Sequence, residues 1–184
     1  MKEKKSLSIQ QLAVIGVMTA VTCILAPLSI PIGPVPISFT NLAIYISLYV
    51  LGVKLGTLSY VVYLLIGLVG VPVFSSFTSG PAKLFGPTGG YLIGFILMAV
   101  IAGIFIDKFI NKMYLCFIGM LLGTAVCYLL GTLWLAYLGN LTFQQALAAG
   151  VLPFIPGDVI KMVLAMLIGP QLRRQLKKAN VSVC

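Results

Sequence analysis

The sequence predicts an all-α integral membrane protein with six transmembrane helices, a long outer loop between helices three and four, and both termini in the cytoplasm. Of its 184 residues, 60% are apolar and only 8% are charged, whereas about a quarter of the residues of an average soluble domain are charged. The apolar surplus has to face lipid, and each spanning helix needs about 20 mainly apolar residues. Length and composition therefore predict a single transmembrane domain over residues 1–184 and exclude a water-soluble one.

The residue types that carry most enzyme chemistry are scarce. The chain has no histidine, and its three carboxylates are Glu3, Asp107 and Asp158. This composition excludes a two-histidine zinc site, a Ser-His-Asp triad and a catalytic carboxylate pair. The sequence has no G-x-x-x-x-G-K-[ST] loop for ATP, and its four cysteines lack C-x-x-C spacing. We therefore expect a protein that is not an enzyme and has no cofactor.

The first predicted helix runs from Ile9 to Ala26, after a basic lead at residues 1–8. It ends at Pro27, the first of several closely spaced prolines that cannot continue a helix. A basic lead before an apolar segment is also typical of a signal peptide. We interpret the segment as a span because it is long and is followed by prolines instead of a small-residue cleavage site.

Two further helices are predicted from Phe39 to Gly52 and from Leu55 to Val69, with Lys54 between them. Phe39 to Gly52 is short for a span, so we expect that helix to be tilted or to begin within the proline-rich stretch. A long connection from Gly70 to Gly90 follows.

The second half of the chain predicts three more helices. The fourth runs from Tyr91 to Phe105, the fifth from Met113 to Leu138, and the sixth from Pro156 to Leu172. Residues 173–184 are basic and are predicted to form a cytoplasmic tail.

The basic residues set the predicted orientation. With an even number of spans, both termini lie on one side, and all but two of the 12 basic residues fall there: Lys2, Lys4, Lys5, Lys54, Lys108, Lys112, Arg173, Arg174, Lys177 and Lys178. By the positive-inside rule, this side is cytoplasmic. The net charge of +9 is thus explained by topology and contact with membrane lipid, not by nucleic-acid binding. Asp107 is interpreted as a solvated helix end.

The outer connections are long and nearly uncharged, at Pro27–Ser38, Gly70–Gly90 and Gly139–Pro153. Unstructured loops of more than about 12–15 residues are usually functional. In the middle connection, the aromatic residues Phe74, Phe77 and Phe85 are interleaved with serine, threonine and glycine. This pattern favours a lid or re-entrant loop that lines a cavity, and the alternative is a loop resting among the lipid headgroups.

The segment P-F-I-P-G-D-V-I-K places two charges at the start of the sixth helix. Pro156 suits the first turn of a helix, and Asp158 falls where the helix dipole favours a negative charge. Lys161 follows one turn later on the same face, about 7 Å from the outer end at about 1.5 Å per residue. Charges inside spans usually face a cavity, which predicts a binding site. A structural ion pair and snorkelling of Lys161 to the headgroups are the alternatives.

Small residues recur along one face of the first helix, at Ala13, Gly16 and Ala20. Such a face lets another helix approach closely in lipid. The pattern alone is equally consistent with packing within the chain and with docking of a separate membrane protein.

The motifs together resemble the BioY family, the biotin-binding membrane subunits of energy-coupling factor (ECF) transporters. The resemblance rests on G-x-x-G-V-P-V-F followed by G-P-T-G-G-Y-L-I-G-F, on P-V-P-I-S, and on P-F-I-P-G-D-x-x-K. It covers nearly the whole chain. It implies a multi-pass protein of the prokaryotic plasma membrane.

The resemblance also implies which residues bind biotin. Asp158 and Lys161 would hold its polar groups, and Ser79 and Gly80 would form the polar turn of a loop that closes over it. Further residues would shape the cavity wall: Gly86, Gly89, Gly90 and Tyr91. Family members place an asparagine near position 79, where this chain has serine. From their positions alone, Asn41 and Trp134 are further candidates for the same cavity, although Asn41 could equally tie helix to helix.

These expectations combine into one functional hypothesis, a high-affinity biotin receptor that works with partners. The resemblance implies an ECF transmembrane coupling subunit, docked on Ala13, Gly16 and Ala20, and two cytoplasmic ATPases. A stand-alone facilitator or channel for a small organic acid is the alternative, and a structural subunit of a membrane complex is a third. A single polar cluster at one end of the bundle favours a binding subunit over a carrier with a midplane site.

Overall fold

The structure, a computed structural model, describes residues 7–31 and 34–179 and is mostly helical. Its elements in chain order are α1 (Ile9–Leu25), β1 (Ser29–Ile30), β2 (Ile37–Ser38), α2 (Thr40–Val69), a 3-10 turn (Ser75–Phe77), α3 (Pro81–Leu84), α4 (Gly89–Phe109), α5 (Met113–Gly139), α6 (Phe143–Gly150) and α7 (Ile155–Lys178). The charged residues of the predicted lead lie outside the described residues: Lys2, Glu3, Lys4 and Lys5.

Helix α1 begins and ends where its sequence dictates. The Ser8 hydroxyl accepts a hydrogen bond from the Gln11 N–H (3.1 Å), and the Gln11 side chain accepts one from the Ser8 N–H (3.0 Å). This reciprocal capping box satisfies two backbone donors that would otherwise lack partners. At the other end, Pro27 has no N–H with which to continue the helix.

Helix α2 reverses direction at Gly52. The Gly52 backbone has φ 73° and ψ 178°, a conformation that is essentially restricted to glycine. A Cβ built on Gly56 would lie 3.2 Å from the Cα of Leu48, whereas eight residues of a straight helix span about 12 Å. Helix α2 therefore consists of two antiparallel arms, which we name α2a (residues 40–51) and α2b (residues 53–69).

Successive apolar helices along the chain run in opposite directions. In α4 and α5, for example, Gly94 lies against Cys127 and Gly119 lies against Phe105. Thr19 of α1 lies 2.9 Å from Ser59 of α2b (Oγ1 to Oγ), and the Tyr60 hydroxyl of α2b donates to the Leu92 carbonyl of α4 (2.9 Å). Near the end of the chain, Leu176 packs with the cluster that contains Ile15. The start of α1, the reversal in α2 and the end of α7 thus share one end of the bundle, which we call the inner end.

Six apolar helical segments are present in the described chain: α1, α2a, α2b, α4, α5 and α7. Four of the helices, α2, α4, α5 and α7, have the length and apolar composition that a membrane span requires. The predicted number of six crossings and the cytoplasmic side of the inner end stay predictions.

Helix α7 continues beyond the predicted end at Leu172. Residues 173–178, expected to belong to a tail, form its last turns, and Pro170 lies inside the helix. The extension is explained by packing, because Leu176 contacts the apolar cluster at the inner end.

The outer connections contain secondary structure of their own. Strands β1 and β2 pair antiparallel, with Ser29 opposite Ser38. The connection before α7 contains α6, whose start is fixed by a second capping box between Thr142 and Gln145. The outer end is therefore built of folded connections, not of irregular loops.

Asp107 lies at the inner end of α4 and is exposed, as the sequence predicted, but it also makes contacts that the sequence did not predict. One of its carboxylate oxygens accepts a hydrogen bond from the Val53 N–H (2.8 Å), at the start of α2b. The other lies 3.5 Å from Arg173 of α7. A carboxylate at a helix N-terminus satisfies a free donor and interacts favourably with the helix dipole. Asp107 therefore links α2b, α4 and α7 at the inner end.

We predict that Gly52→Ala lowers the free energy of unfolding by about 1–3 kcal/mol, because an alanine at this φ and ψ is strained. Thermal unfolding of the purified protein measures the effect. The matched control is Gly16→Ala, since a Cβ at Gly16 has nothing within 4 Å and alanine is the better helix former. An unchanged unfolding midpoint for Gly52→Ala would contradict the strained reversal.

Candidate functional site

A cavity of about 580 Å³, its open mouth included, lies at the outer end of the bundle. The wall comes from the β1–β2 connection, the 3-10 turn and five helices: Val35, Pro36, Ser38, Thr40, Asn41, Ser75, Thr88, Tyr91, Leu92, Phe95, Tyr128, Gly150, Phe154, Asp158 and Lys161. The lining is thus apolar with a few polar groups and one pair of opposite charges.

The two charges of α7 form a buried ion pair in the cavity wall. The Lys161 Nζ lies 2.9 Å from the Asp158 Oδ1, and only 7% of Asp158 and 6% of Lys161 are exposed. Asp158 lies in the first turn of α7, where the dipole stabilises its charge. A buried charge of this kind is tolerated only when it is paired and hydrogen-bonded.

Lys161 is directed at the β1–β2 connection and not at the headgroups. Its ammonium donates to the Ser38 carbonyl (2.7 Å) as well as to Asp158. It also lies 5.9 Å from the centroid of the Phe39 ring, within the range of a cation–π contact. The snorkelling alternative is therefore wrong for the described geometry.

Tyr128 is a site residue that the sequence interpretation missed. Its hydroxyl, carried by α5, donates to the Asp158 Oδ2 at 2.5 Å. The separation is typical of a strong hydrogen bond to a carboxylate. The sequence does show a tyrosine within an apolar span, four residues after Thr124. Nothing in the sequence, however, indicates that this tyrosine contacts Asp158.

Two other predicted residues, Asn41 and Tyr91, reach the cavity. Asn41 is 3% exposed, and its Oδ1 accepts a hydrogen bond from the Leu42 N–H (3.1 Å). The Tyr91 ring packs on Gly131, and its hydroxyl approaches Gly150 so closely that a Cβ there would lie 2.1 Å from the oxygen. Both residues line the wall beside the ion pair.

The predicted glycines support the wall from behind and do not line it. A Cβ on Gly90 would lie 2.3 Å from the Trp134 Cβ, and one on Gly89 would lie 1.8 Å from the Leu84 carbonyl oxygen. The Trp134 indole N–H donates to the Gly86 carbonyl (2.9 Å). Trp134 thus packs in the layer behind the wall, and the glycines allow α4 and α5 to approach each other there.

The structure places Ser79 and Gly80 away from the cavity lining and brings Ser75 there instead. The Gly80 N–H donates to the Gly67 carbonyl (2.8 Å), which holds this part of the connection against the end of α2b. Nearby, partial burial of the Lys83 ammonium lowers its pKa below the ordinary value.

The turn that carries Ser75 is held by the β1–β2 connection. Ser76 and Phe77 have positive φ angles of 60° and 55°. The Ser76 N–H donates to the Ser29 hydroxyl (2.8 Å), and the two hydroxyls lie 3.0 Å apart. A left-handed conformation of this kind persists only when its surroundings hold it in place, and Ser29 provides that restraint.

The small-residue face of α1 does not pack against the rest of the described chain. Ala13, Gly16 and Ala20 are exposed, and a Cβ on Gly16 would have no neighbour within 4 Å. Of the two roles that the sequence left open, packing within the chain is therefore wrong for the described residues.

The arrangement can bind a small molecule that offers both N–H donors and acceptor oxygens. The carboxylate accepts donors, the ammonium donates, and the aromatic and aliphatic lining receives an apolar body. No group of three or more His, Cys, Asp or Glu side chains able to hold a metal occurs in residues 7–31 and 34–179.

Known proteins share both the sequence and the fold. The profile of the BioY family matches residues 1–178. A protein of Thermotoga maritima named biotin transporter BioY is 39% identical over 165 residues, covering 90% of this chain and 96% of that protein. Biotin transporter BioY2 of Lactococcus lactis is 36% identical over 169 residues, covering 92% and 93%.

A solved structure agrees with these relatives. The crystal structure of the S-component for biotin from an ECF-type ABC transporter matches with a TM-score of 0.84 and 33% identity, covering 92% of this chain and 95% of that one. The apolar helices long enough to cross a membrane identify a multi-pass membrane protein. By its sequence and by its fold, the chain belongs to the BioY family.

Proposed function

We propose that this chain is the high-affinity biotin-binding subunit of an ECF-type vitamin uptake transporter. It binds biotin in the outward-facing cavity, and the outer connections close over the vitamin. The observation that carries the proposal is the buried Asp158–Lys161 pair in the cavity wall. The names of the relatives, biotin transporters and an S-component for biotin, support the choice of ligand.

Biotin matches the chemistry of the wall. Its ureido group offers two N–H donors for the Asp158 carboxylate, and its carbonyl and carboxylate oxygens suit the Lys161 ammonium. The fused rings and aliphatic chain suit the apolar lining from Leu92, Phe95 and Phe154. The buried charges therefore orient the vitamin while the apolar wall excludes water.

Closure over the ligand is supported by the contacts that link the outer connections. Lys161 holds Ser38, Ser38 pairs with Ser29, and Ser29 holds Ser76. Ser75, next to Ser76, lines the cavity. A ligand that engages the ammonium competes with the Ser38 carbonyl, so binding is coupled to the position of both connections.

Transport in this proposal requires an ECF transmembrane coupling subunit and two cytoplasmic ATPases in the prokaryotic plasma membrane. The coupling subunit docks on the α1 face formed by Ala13, Gly16 and Ala20. The exposure of all three residues, with open space at Gly16, supports this assignment.

The facilitator alternative requires a polar path from the cavity to the inner end. Below the ion pair, the buried core is filled by Tyr45, Met98, Met120 and Ile106. The Tyr45 hydroxyl is hydrogen-bonded to Thr124 and closes the space between α2a and α5. This filling favours a binding subunit over a channel.

Biotin should bind to the purified chain without ATP or partners, and Asp158→Asn and Lys161→Ala should each weaken binding about 100-fold. Each change removes a charged group that would contact the ligand; a hydrogen bond to a charged group contributes about 1.5–3 kcal/mol, and every 1.4 kcal/mol is tenfold in affinity. Isothermal titration calorimetry with biotin measures the affinities.

The matched controls are Asp107→Asn and Lys112→Ala, at the inner end of the bundle. Both should retain the wild-type affinity within about twofold. Folded wild-type protein that binds no biotin would overturn the proposal. Wild-type affinity in both site variants would show that the Asp158–Lys161 pair has a purely structural role.

Gly16→Leu should leave biotin binding unchanged and reduce uptake by the assembled transporter at least about tenfold. The leucine side chain enters open space in the isolated chain but blocks close approach of another helix. Binding to the purified subunit and biotin uptake into cells that express the complete transporter are compared. Gly16→Ala is the control, because it keeps the face small. Equal loss of binding and uptake would show that the face serves the fold.

A further inference from the structure

Tyr128 and Lys161 hold the two oxygens of one carboxylate from two different helices. The Tyr128 hydroxyl of α5 donates to the Asp158 Oδ2 at 2.5 Å, and the Lys161 ammonium of α7 lies 2.9 Å from the Oδ1. A carboxylate held at one oxygen can still rotate about its own axis. With a donor on each oxygen, the plane of the Asp158 carboxylate is fixed.

The surroundings of Tyr128 leave no substitute donor on the membrane side. Tyr128 and Asp158 also line a shallow depression between α5 and α7, whose remaining wall is apolar apart from Thr124: Leu121, Ala125, Ile155, Val159 and Met162. Several of these side chains are exposed on the side of the bundle, where we expect contact with lipid. Lipid chains offer no hydrogen-bond donor and exclude water, so neither lipid nor water can replace the phenol hydroxyl from this side.

Three other buried tyrosines make hydrogen bonds to groups that belong to the fold. Tyr45 contacts Thr124, Tyr60 donates to the Leu92 carbonyl, and Tyr63 donates to the Val73 carbonyl. Tyr128 instead donates to a carboxylate that lines the cavity. Removing its hydroxyl therefore changes the site, whereas removing that of Tyr45 changes the packing below it.

We propose that Tyr128 is a positioning residue for ligand recognition. A carboxylate has about four lone-pair sites, of which Tyr128 and Lys161 occupy two. The fixed plane aims the remaining two at the cavity, where they receive a ligand with two N–H donors held side by side, such as a cyclic urea. This inference rests on the proposed function, and it identifies the ureido end of the ligand as the group that Asp158 receives.

The first test compares two Tyr→Phe variants. Tyr128→Phe should weaken biotin binding about tenfold, the usual effect of losing a hydrogen bond to a charged group. Tyr45→Phe, which removes a hydroxyl about one helical layer below, should stay within about twofold of wild type. Equal affinities for wild type and Tyr128→Phe, or equal losses in both variants, would overturn the proposal.

The second test observes the carboxylate itself. The chain has two aspartates, Asp107 and Asp158, so protein made with aspartate carrying ¹³C in the side-chain carboxyl gives two NMR signals. Asp158→Asn assigns them by removing one. Tyr128→Phe should shift the Asp158 signal in ligand-free protein and leave that of Asp107 in place.

The combined outcomes separate the positioning role from its alternatives. Loss of affinity with an unmoved Asp158 signal would show that Tyr128 acts only through packing, which overturns the proposal. If the Asp158 signal shifts but the chain binds no biotin, the contact between Tyr128 and Asp158 is real and the proposed function is wrong. Both variants are first checked for an unfolding midpoint close to that of wild type.

Discussion

Asp158 and Lys161 are the charged side chains that the described bundle buries. A buried ion pair is stable only if further hydrogen bonds replace the lost water. The groups that stabilise this pair come from different parts of the chain. Tyr128 is supplied by α5, Ser38 by the hairpin that β1 and β2 form, and the favourable dipole by the start of α7. The arrangement of the outer end follows from this requirement, because the hairpin and both helices have to meet at one point.

The same pair makes the cavity charged at one place only. The rest of its wall is uncharged and consists of aliphatic and aromatic side chains, several hydroxyls and the Asn41 amide. The glycines behind the wall allow α4 and α5 to approach each other, since Trp134 occupies the space where larger residues at Gly89 and Gly90 would have side chains. In the proposed function, charge therefore sets the orientation of the ligand, and close helix packing sets the shape of the cavity around it.

The parts of the fold that depend on local sequence were predicted well. The apolar segments, the start of α7 at the proline and the i, i+3 pairing of Asp158 with Lys161 all follow from neighbouring residues. Contacts between distant residues were not predictable in this way. Lys161 and Ser38 are 123 residues apart, and Tyr128 is one of several phenols in apolar helices. The contacts of Asp107 were missed for the same reason, because its partner Val53 becomes a neighbour only through the reversal at Gly52.

The reversal at Gly52 also constrains how the chain enters the bilayer during synthesis. At about 1.5 Å per residue, α2a and α2b are about 18 and 26 Å long, and each is shorter than the hydrocarbon core of about 30 Å. Neither arm is a strong insertion signal alone, and no loop separates them. We therefore expect the translocation machinery to release both arms into lipid together, as one helical hairpin.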